Sequence, residues 1–406
     1  MKQQFTVQAI TSCIIKYRGY IEYSTDYGKS WCILDTLYLP ATHEAQFRNA
    51  KSEFEEWFIV KGYFNVYGHI STLAPNATKT FRWMFYKTSV VDASKLILDY
   101  DELWPRAYYS MFHGCTSLKT APELHATRLA ESCYDLMFLG CTSLKTAPEL
   151  PATTLAQSCY LCMFKGCRSL TIAPELPATT LAQNCYTGMF YGCTRLTTAP
   201  SILPATTLTD GCYEGMFNSC TSLASAPKLP ATELAFGCYQ GMFYGCTSLA
   251  TAPELPATTL AQSCYADMFY GCTRLKTAPE LPATTLAPFC YGAMFYNCRS
   301  IVSVASVLPA TELAICCYKF MFKGCILIKT PPKINAHKLE EECCYAMFYG
   351  CENLTTAPML LATKTKDKSY YNMFIGCRSL KKRPVMPKKA YLEAVKMSFI
   401  PSELVK

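Results

Sequence analysis

The pair Met-Phe recurs at Met84, Met111, Met137, Met163, Met189, Met216, Met242, Met268, Met294, Met321, Met347 and Met373, always 26 or 27 residues apart. A period held over twelve copies constrains this chain more than any other feature. Each copy is one structural unit, too small to bury its apolar side alone, so neighbours must stack on one another. One well-formed unit runs from Leu255 to Pro279. Within it Leu260, Cys264, Met268 and Cys272 are spaced by four, and Ala261, Tyr265 and Phe269 form the adjacent row. That spacing predicts a helix with one broad apolar face. Thr259 with Gln262 has the form of a capping box, repeated at Thr154 with Gln157 and Thr180 with Gln183. Gly271 stands where such a helix stops, as do Gly140, Gly166 and Gly245. Leu275–Ala278 then reads as an extended piece. Pro279 ends it, because Pro donates no ladder hydrogen bond.

One short strand and one helix per coil of about 26 residues make an α/β repeat solenoid, leucine-rich-repeat-like in period, since such repeats run to roughly 20–29 residues. Two interior coils are one residue longer, and both carry the extra residue beside Pro, at Pro200-Ser-Ile-Leu-Pro204 and Val304-Ala-Ser-Val-Leu-Pro309. A bulge is expected there, not a break in stacking. Residues 1–80 lie outside the repeat. They alternate as Phe5-Thr-Val-Gln-Ala and Tyr20-Ile-Glu-Tyr, then turn at Asp26-Tyr-Gly-Lys and resume at Trp31-Cys-Ile-Leu. This predicts a small β-rich domain that also caps the open end of the array. Residues 81–380 are the solenoid, and residues 381–406 form a basic C-terminal cap, with Pro387–Met397 as an amphipathic helix.

The phrase Met-Phe-Tyr-Gly-Cys-Thr-Ser-Leu followed by Ala-Pro-Glu-Leu-Pro-Ala-Thr-Thr-Leu, at residues 242–260, resembles the BspA-like leucine-rich-repeat surface proteins of Bacteroides-group gut bacteria, and related repeat proteins of their phages. The resemblance covers residues 84 to about 380. The segment Tyr23–Trp31 is similar, more weakly, to a small β module that precedes such arrays. The resemblance implies an adhesion or receptor-binding role on a bacterial cell surface or a virion, with no catalytic residues to carry over. The first residues, Met-Lys-Gln-Gln-Phe-Thr-Val-Gln, lack the unbroken apolar stretch of a secretory signal, which departs from exported members. The phage alternative, a tail-fibre or head-decoration component, gains from that departure. A purely structural spacer is the remaining alternative.

Composition enters through charge and cysteine. The formal charge is +8, and Lys364–Lys406 hold eleven Lys and Arg against three acids. The repeat body is therefore near neutral, and no nucleic-acid partner is expected. No apolar run is long enough to span a membrane. The 25 cysteines fall mostly in two columns. One includes Cys133, Cys159, Cys185, Cys238 and Cys264; the other includes Cys141, Cys167, Cys193, Cys246 and Cys272. On a helix, eight residues separate the columns by about 12 Å, too far for a disulfide. They read as buried free thiols acting as small hydrophobes. A Cys159–Cys162 pair and the doublets Cys316-Cys317 and Cys343-Cys344 have no second pair to complete a zinc site. No metal or cofactor is expected.

With five His and no nucleophile elbow, P-loop or metalloprotease motif, the chain reads as non-enzymatic. A glutamate column at Glu123, Glu149, Glu175, Glu254 and Glu280 reads as a solvated edge. The ligand-contact candidates are Tyr191, Tyr244, Tyr270, Tyr296 and Tyr349, each following Met-Phe and falling off the apolar rows. A row of partly exposed tyrosines suits a protein or cell-surface glycan partner. The competing reading is that these rings only pack on one another.

Overall fold

The structure is a computed structural model that describes residues 2–17, 20–49, 58–73, 81–362, 365–381 and 384–385. The chain forms two compact units, Met1–Pro200 and Ser201–Lys406.

The first unit opens with β1 (Phe5–Ala9), β2 (Cys13–Tyr17), β3 (Glu22–Ser24), β4 (Cys32–Ile33), β5 (Thr36–Leu39), β6 (Glu44–Arg48), β7 (Phe58–Lys61), β8 (Phe64–His69) and β9 (Val90–Ile97). They make a six-stranded sheet in the order β4-β3-β6-β1-β8-β9 and a three-stranded sheet, β5-β2-β7. All pairs are antiparallel except β8 with β9. Phe5 and Phe47 from the larger sheet and Phe58 from the smaller pack with ring centroids 5.3–6.1 Å apart. Apolar residues at alternate positions build this core, as a two-residue strand period requires. β9 belongs to the first repeat coil, so the β domain and the coils share one sheet. They also share a core: the Phe85 ring lies 6.2 Å from Phe5, 6.4 Å from Phe64 and 5.1 Å from Phe112. From there the phenylalanines stack coil upon coil through Phe138, Phe164 and Phe190 at 5.5–5.6 Å. The tyrosine of each Cys-Tyr pair does the same from Tyr108 to Tyr186 at 5.6–5.8 Å.

The expected helix is corrected. Among the described residues the helical structure is one 3-10 turn, Ile70–Thr72. Where the apolar period predicts a helix, the backbone runs as a chain of tight turns. In the coil at Ser132–Cys141, every fourth residue is left-handed: Ser132, Leu136 and Gly140 have φ of 52°, 57° and 72°. Amides alternate between two kinds of partner. Cys133, Asp135, Met137, Leu139 and Cys141 donate to the carbonyl three residues back, while Tyr134, Leu136, Phe138 and Gly140 donate to Cys159, Leu161, Met163 and Lys165 of the next coil. Half of the polar backbone is thus satisfied within the turn and half by stacking, so a buried non-helical segment leaves few orphaned groups. The geometry also explains the four-residue period: two residues point inward and two outward in each turn. An α-helix repeats every 3.6 residues, so a strict period of four drifts around its axis.

The second unit repeats this plan. Phe217 to Phe374 stack at 5.5–6.0 Å and Tyr213 to Tyr318 at 5.6–5.9 Å. The one short strand expected per coil is reduced to parallel bridges such as Thr277 with Ser303 and Thr259 with Thr285. Among the described residues of this unit, two-residue strands occur at β10 (Val307–Leu308) with β12 (Lys333–Ile334) and at β11 (Glu312–Leu313) with β13 (Lys338–Leu339). Pro279, two residues after Thr277, and Pro256, three before Thr259, have no donor with which to lengthen these bridges. Thr259, expected to cap a helix, lies in a bridge instead. In the longer coil near Val304 the extra residue is taken up between Ser303 and β10. Tyr291 still stacks on Tyr318 at 5.9 Å, so stacking continues through it. The helix expected at Pro387–Met397 lies outside the described residues.

Candidate functional site: a tyrosine and lysine row on the turn segment

The inward turn positions differ little between coils. Cys, Tyr, Met, Phe and Cys fill them, and those at Cys264, Tyr265, Met268, Phe269 and Cys272 are at most 1% exposed. The thiols lie inside. Cys141, Cys167, Cys193, Cys246 and Cys272 each donate an S–H bond of 3.0–3.1 Å to a phenylalanine carbonyl of the preceding coil. Cys133, Cys159, Cys185, Cys238 and Cys264 are fully buried at the other inward position. None of the 25 cysteines is joined in a disulfide. Burial pushes the Cys133, Cys193, Cys238 and Cys246 thiols up to about 12 and holds Cys141, Cys159, Cys167 and Cys272 well above their ordinary range. Such thiols stay protonated and are poor nucleophiles and poor metal ligands. Among the described residues no three His, Cys, Asp or Glu side chains group to hold a metal.

The outward positions carry the variety. In the first unit the residue after Met-Phe is Tyr86, His113, Leu139, Lys165 and Tyr191 in successive coils. Tyr191 is 39% exposed, with the Lys165 ammonium 4.6 Å from its ring. In the second unit the structure brings three of the candidates together. Tyr244 stacks on Tyr270 at 4.4 Å and Tyr270 on Tyr296 at 4.5 Å, with interplanar angles of 6° and 9°. These three rings are half-buried. Both faces of Tyr270 are therefore covered by neighbours, which leaves the ring edges and hydroxyls to solvent. Tyr270 is pushed up to about 12 by partial burial and by the flanking phenols, so it stays neutral.

The next coil places Lys323 in the same slot. Its ammonium lies 5.2 Å from the Tyr296 ring and 4.8 Å from that of Tyr349, which is 36% exposed. The row thus continues as tyrosine, lysine, tyrosine, joined by cation–π contacts. Beside it Lys319 lies over Phe320 and Tyr345 at 5.5 and 5.0 Å and pairs with Glu342 at 2.6 Å. The tyrosine list overlooks these lysines. Their signal is in the repeat: Met-Phe-Lys-Gly-Cys at residues 163–167 and 321–325 aligns Lys165 and Lys323 with the tyrosines.

No family model matches the chain, and no curated protein matches it. Two solved structures are similar to it along most of its length. One is a leucine-rich repeat protein from Bacteroides ovatus, 18% identical, covering 86% of this chain and 96% of its own, with a TM-score of 0.39. The other is a leucine rich cell surface protein from Faecalibacterium prausnitzii, 14% identical, covering 96% and 98%, with a TM-score of 0.37. Scores this low do not establish a shared overall arrangement. The coil's own geometry defines the class here: a tandem-repeat solenoid whose coils are joined by alternating backbone bonds and stacked rings.

Proposed function

We propose that this chain is a non-catalytic recognition or adhesion protein that presents the outward side of its turn segments to a protein or cell-surface glycan. The observation that carries this reading is the contrast between the two sides of the same ten residues. Inward positions repeat almost unchanged, whereas the outward pair before Met-Phe reads Asp135-Leu136, Thr187-Gly188, Glu214-Gly215 and Lys319-Phe320. A structural spacer needs the first property and has no use for the second. Tyrosine supplies a rigid contact surface at low entropic cost, and stacking multiplies weak contacts along a row.

The test exploits the difference in burial within the row. Tyr191→Ser in the first unit and Tyr349→Ser in the second alter exposed rings, and Lys323→Met removes the cation beside Tyr349; the three should leave thermal stability nearly unchanged. Combined, they should weaken retention on gut-bacterial cells or on immobilised glycans from them about tenfold, as expected when a multivalent contact loses several members. Wild-type binding that the triple variant retains in full would dismiss the row. Failure of the wild type to bind would favour the spacer.

A further inference from the structure

The outer face of the six-stranded sheet carries a second feature that owes nothing to the repeat row. Directly paired residues form two polar lines across β6, β1, β8 and β9. The first is Glu44, Gln8, Asn65 and Asp92; the second is Gln46, Thr6, Tyr67 and Lys95. A regular β9 would put residue 94 opposite Tyr67. Instead the β8–β9 register shifts twice, between Phe64 and Asn65 and between Asn65 and Tyr67. Those irregularities bring both Asp92 and Lys95 onto the same polar face. Bulges re-aim side chains in this way beside functional sites.

The groups are held in place by one another. Gln8 Nε2 donates to Glu44 Oε1 at 2.8 Å, Tyr67 Oη to Glu44 Oε2 at 2.6 Å, and Asn65 Nδ2 to Gln8 Oε1 at 3.0 Å. Asp92 accepts from the Ser94 amide at 2.8 Å and from the Thr120 hydroxyl of the next coil. Over them lies a cavity of about 430 Å³ lined by Gln8, Glu44, Asn65, Tyr67, Asp92 and Lys95 among others. That volume is in the range of small-molecule sites, roughly 300–1,000 Å³.

We infer that this cavity binds a neutral saccharide. Six polar groups around it have hydrogen-bonding capacity beyond the bonds just named: a second amide N–H on Gln8 and Asn65, further lone pairs on Glu44, Tyr67 and Asp92, and the Lys95 ammonium. Donors and acceptors alternate at neighbouring points, which suits vicinal hydroxyls, each both donor and acceptor. Two carboxylates disfavour an anion, and Lys95 disfavours a simple cation. Because Gln8, Glu44, Asn65, Tyr67 and Asp92 are held by the bonds just named, they add little ordering cost when a ligand binds.

The test is saturation-transfer NMR and calorimetry on the full chain, with the methyl glycosides of glucose, galactose, mannose and N-acetylglucosamine as probes. At least one should bind. Asn65→Ala and Lys95→Met should each weaken it about tenfold, the scale of one or two lost hydrogen bonds. Lys95 is exposed, so its variant tests the site even if Asn65→Ala unfolds. Met359→Ser, an exposed change outside both the cavity and the repeat row, should leave glycoside binding unchanged. Absence of binding by all four glycosides, or binding indifferent to both substitutions, would overturn the inference. So would a calcium-dependent rise in melting temperature that Asp92→Asn abolishes and that occurs without glycoside binding.

Discussion

At Asp135 a carboxyl group occupies an outward turn position yet is only 9% exposed. Burial pushes it up to about 7, against the opposing pull of a Ser132 hydrogen bond and the Arg106 charge. A carboxyl raised in the folded state favours folding fully below its unfolded value near 4, and loses that advantage as pH rises through 7. Asp135→Asn should therefore stabilise the protein at pH 8, by on the order of 4 kcal/mol at most, and have little effect at pH 4. Thermal melts at the two pH values check this; equal shifts at both would assign the effect to packing. Backbone conformation makes a second residue-scale prediction. Gly241 and Ala293 hold the same left-handed turn position, with φ of 58° and 49°. A Cβ on Gly241 would meet only the Tyr244 Cβ, at 3.9 Å, so conformation alone decides. Gly241→Ala should cost about 1 kcal/mol and Ala293→Gly should gain a similar amount. Changes of the same sign in urea denaturation would contradict the turn geometry.

Between elements, the joint that matters is Phe85. Its ring is fully buried where the β-domain core meets the first of the stacked phenylalanines, and β8 pairs with β9 alongside it. We propose that residues 1–80 act as the cap of the array. Phe85→Ala then removes the contact that joins the two, at about 3–5 kcal/mol for a buried phenylalanine. Calorimetry should show the β domain and the coils melting separately in the variant but together in the wild type. A single, shifted transition would mean that strand pairing alone holds the joint. The turn segments add a general point. A helix satisfies its backbone within itself, but here every second amide depends on the neighbouring coil, so an isolated coil has no reason to fold.

Across the whole molecule, buried protonated thiols and phenols are the dominant chemical fact. Thiol titration of the native protein should detect Cys32, which is exposed, and more slowly the half-exposed Cys162. After denaturation without reductant all 25 should react. Ten or more missing would show disulfides and an oxidising compartment. The same burial sets an alkaline limit. A thiol held at about 12 when folded contributes stability below its ordinary value of 9 and loses it between the two. Each such thiol then costs about 1 kcal/mol per pH unit. Melting temperature should fall steeply above pH 9. A flat profile to pH 11 would show that the interior is wetter than its packing implies.

The amino-acid order by itself determined the repeat, its period, the inward residues and the outward tyrosines, because a residue repeated every 26 positions has one environment in every stacked coil. Alternation likewise made β1, β3 and β4 legible. Local pattern did not decide what the apolar run becomes. Leu260, Cys264, Met268 and Cys272 suit a helical face and a turn segment equally well, since both bring residues four apart to one side. The contrary signal was present in Gly237, Gly241 and Gly245, each costing about 1 kcal/mol inside a helix and favourable in a left-handed turn. Only tertiary structure resolved the choice, because the competing turn conformation needs backbone partners 25 or 26 residues away, beyond the reach of any local rule. For the same reason the polar cavity was invisible in the sequence. Its residues come from four strands, and two register shifts in β9 bring Asp92 and Lys95 to the others.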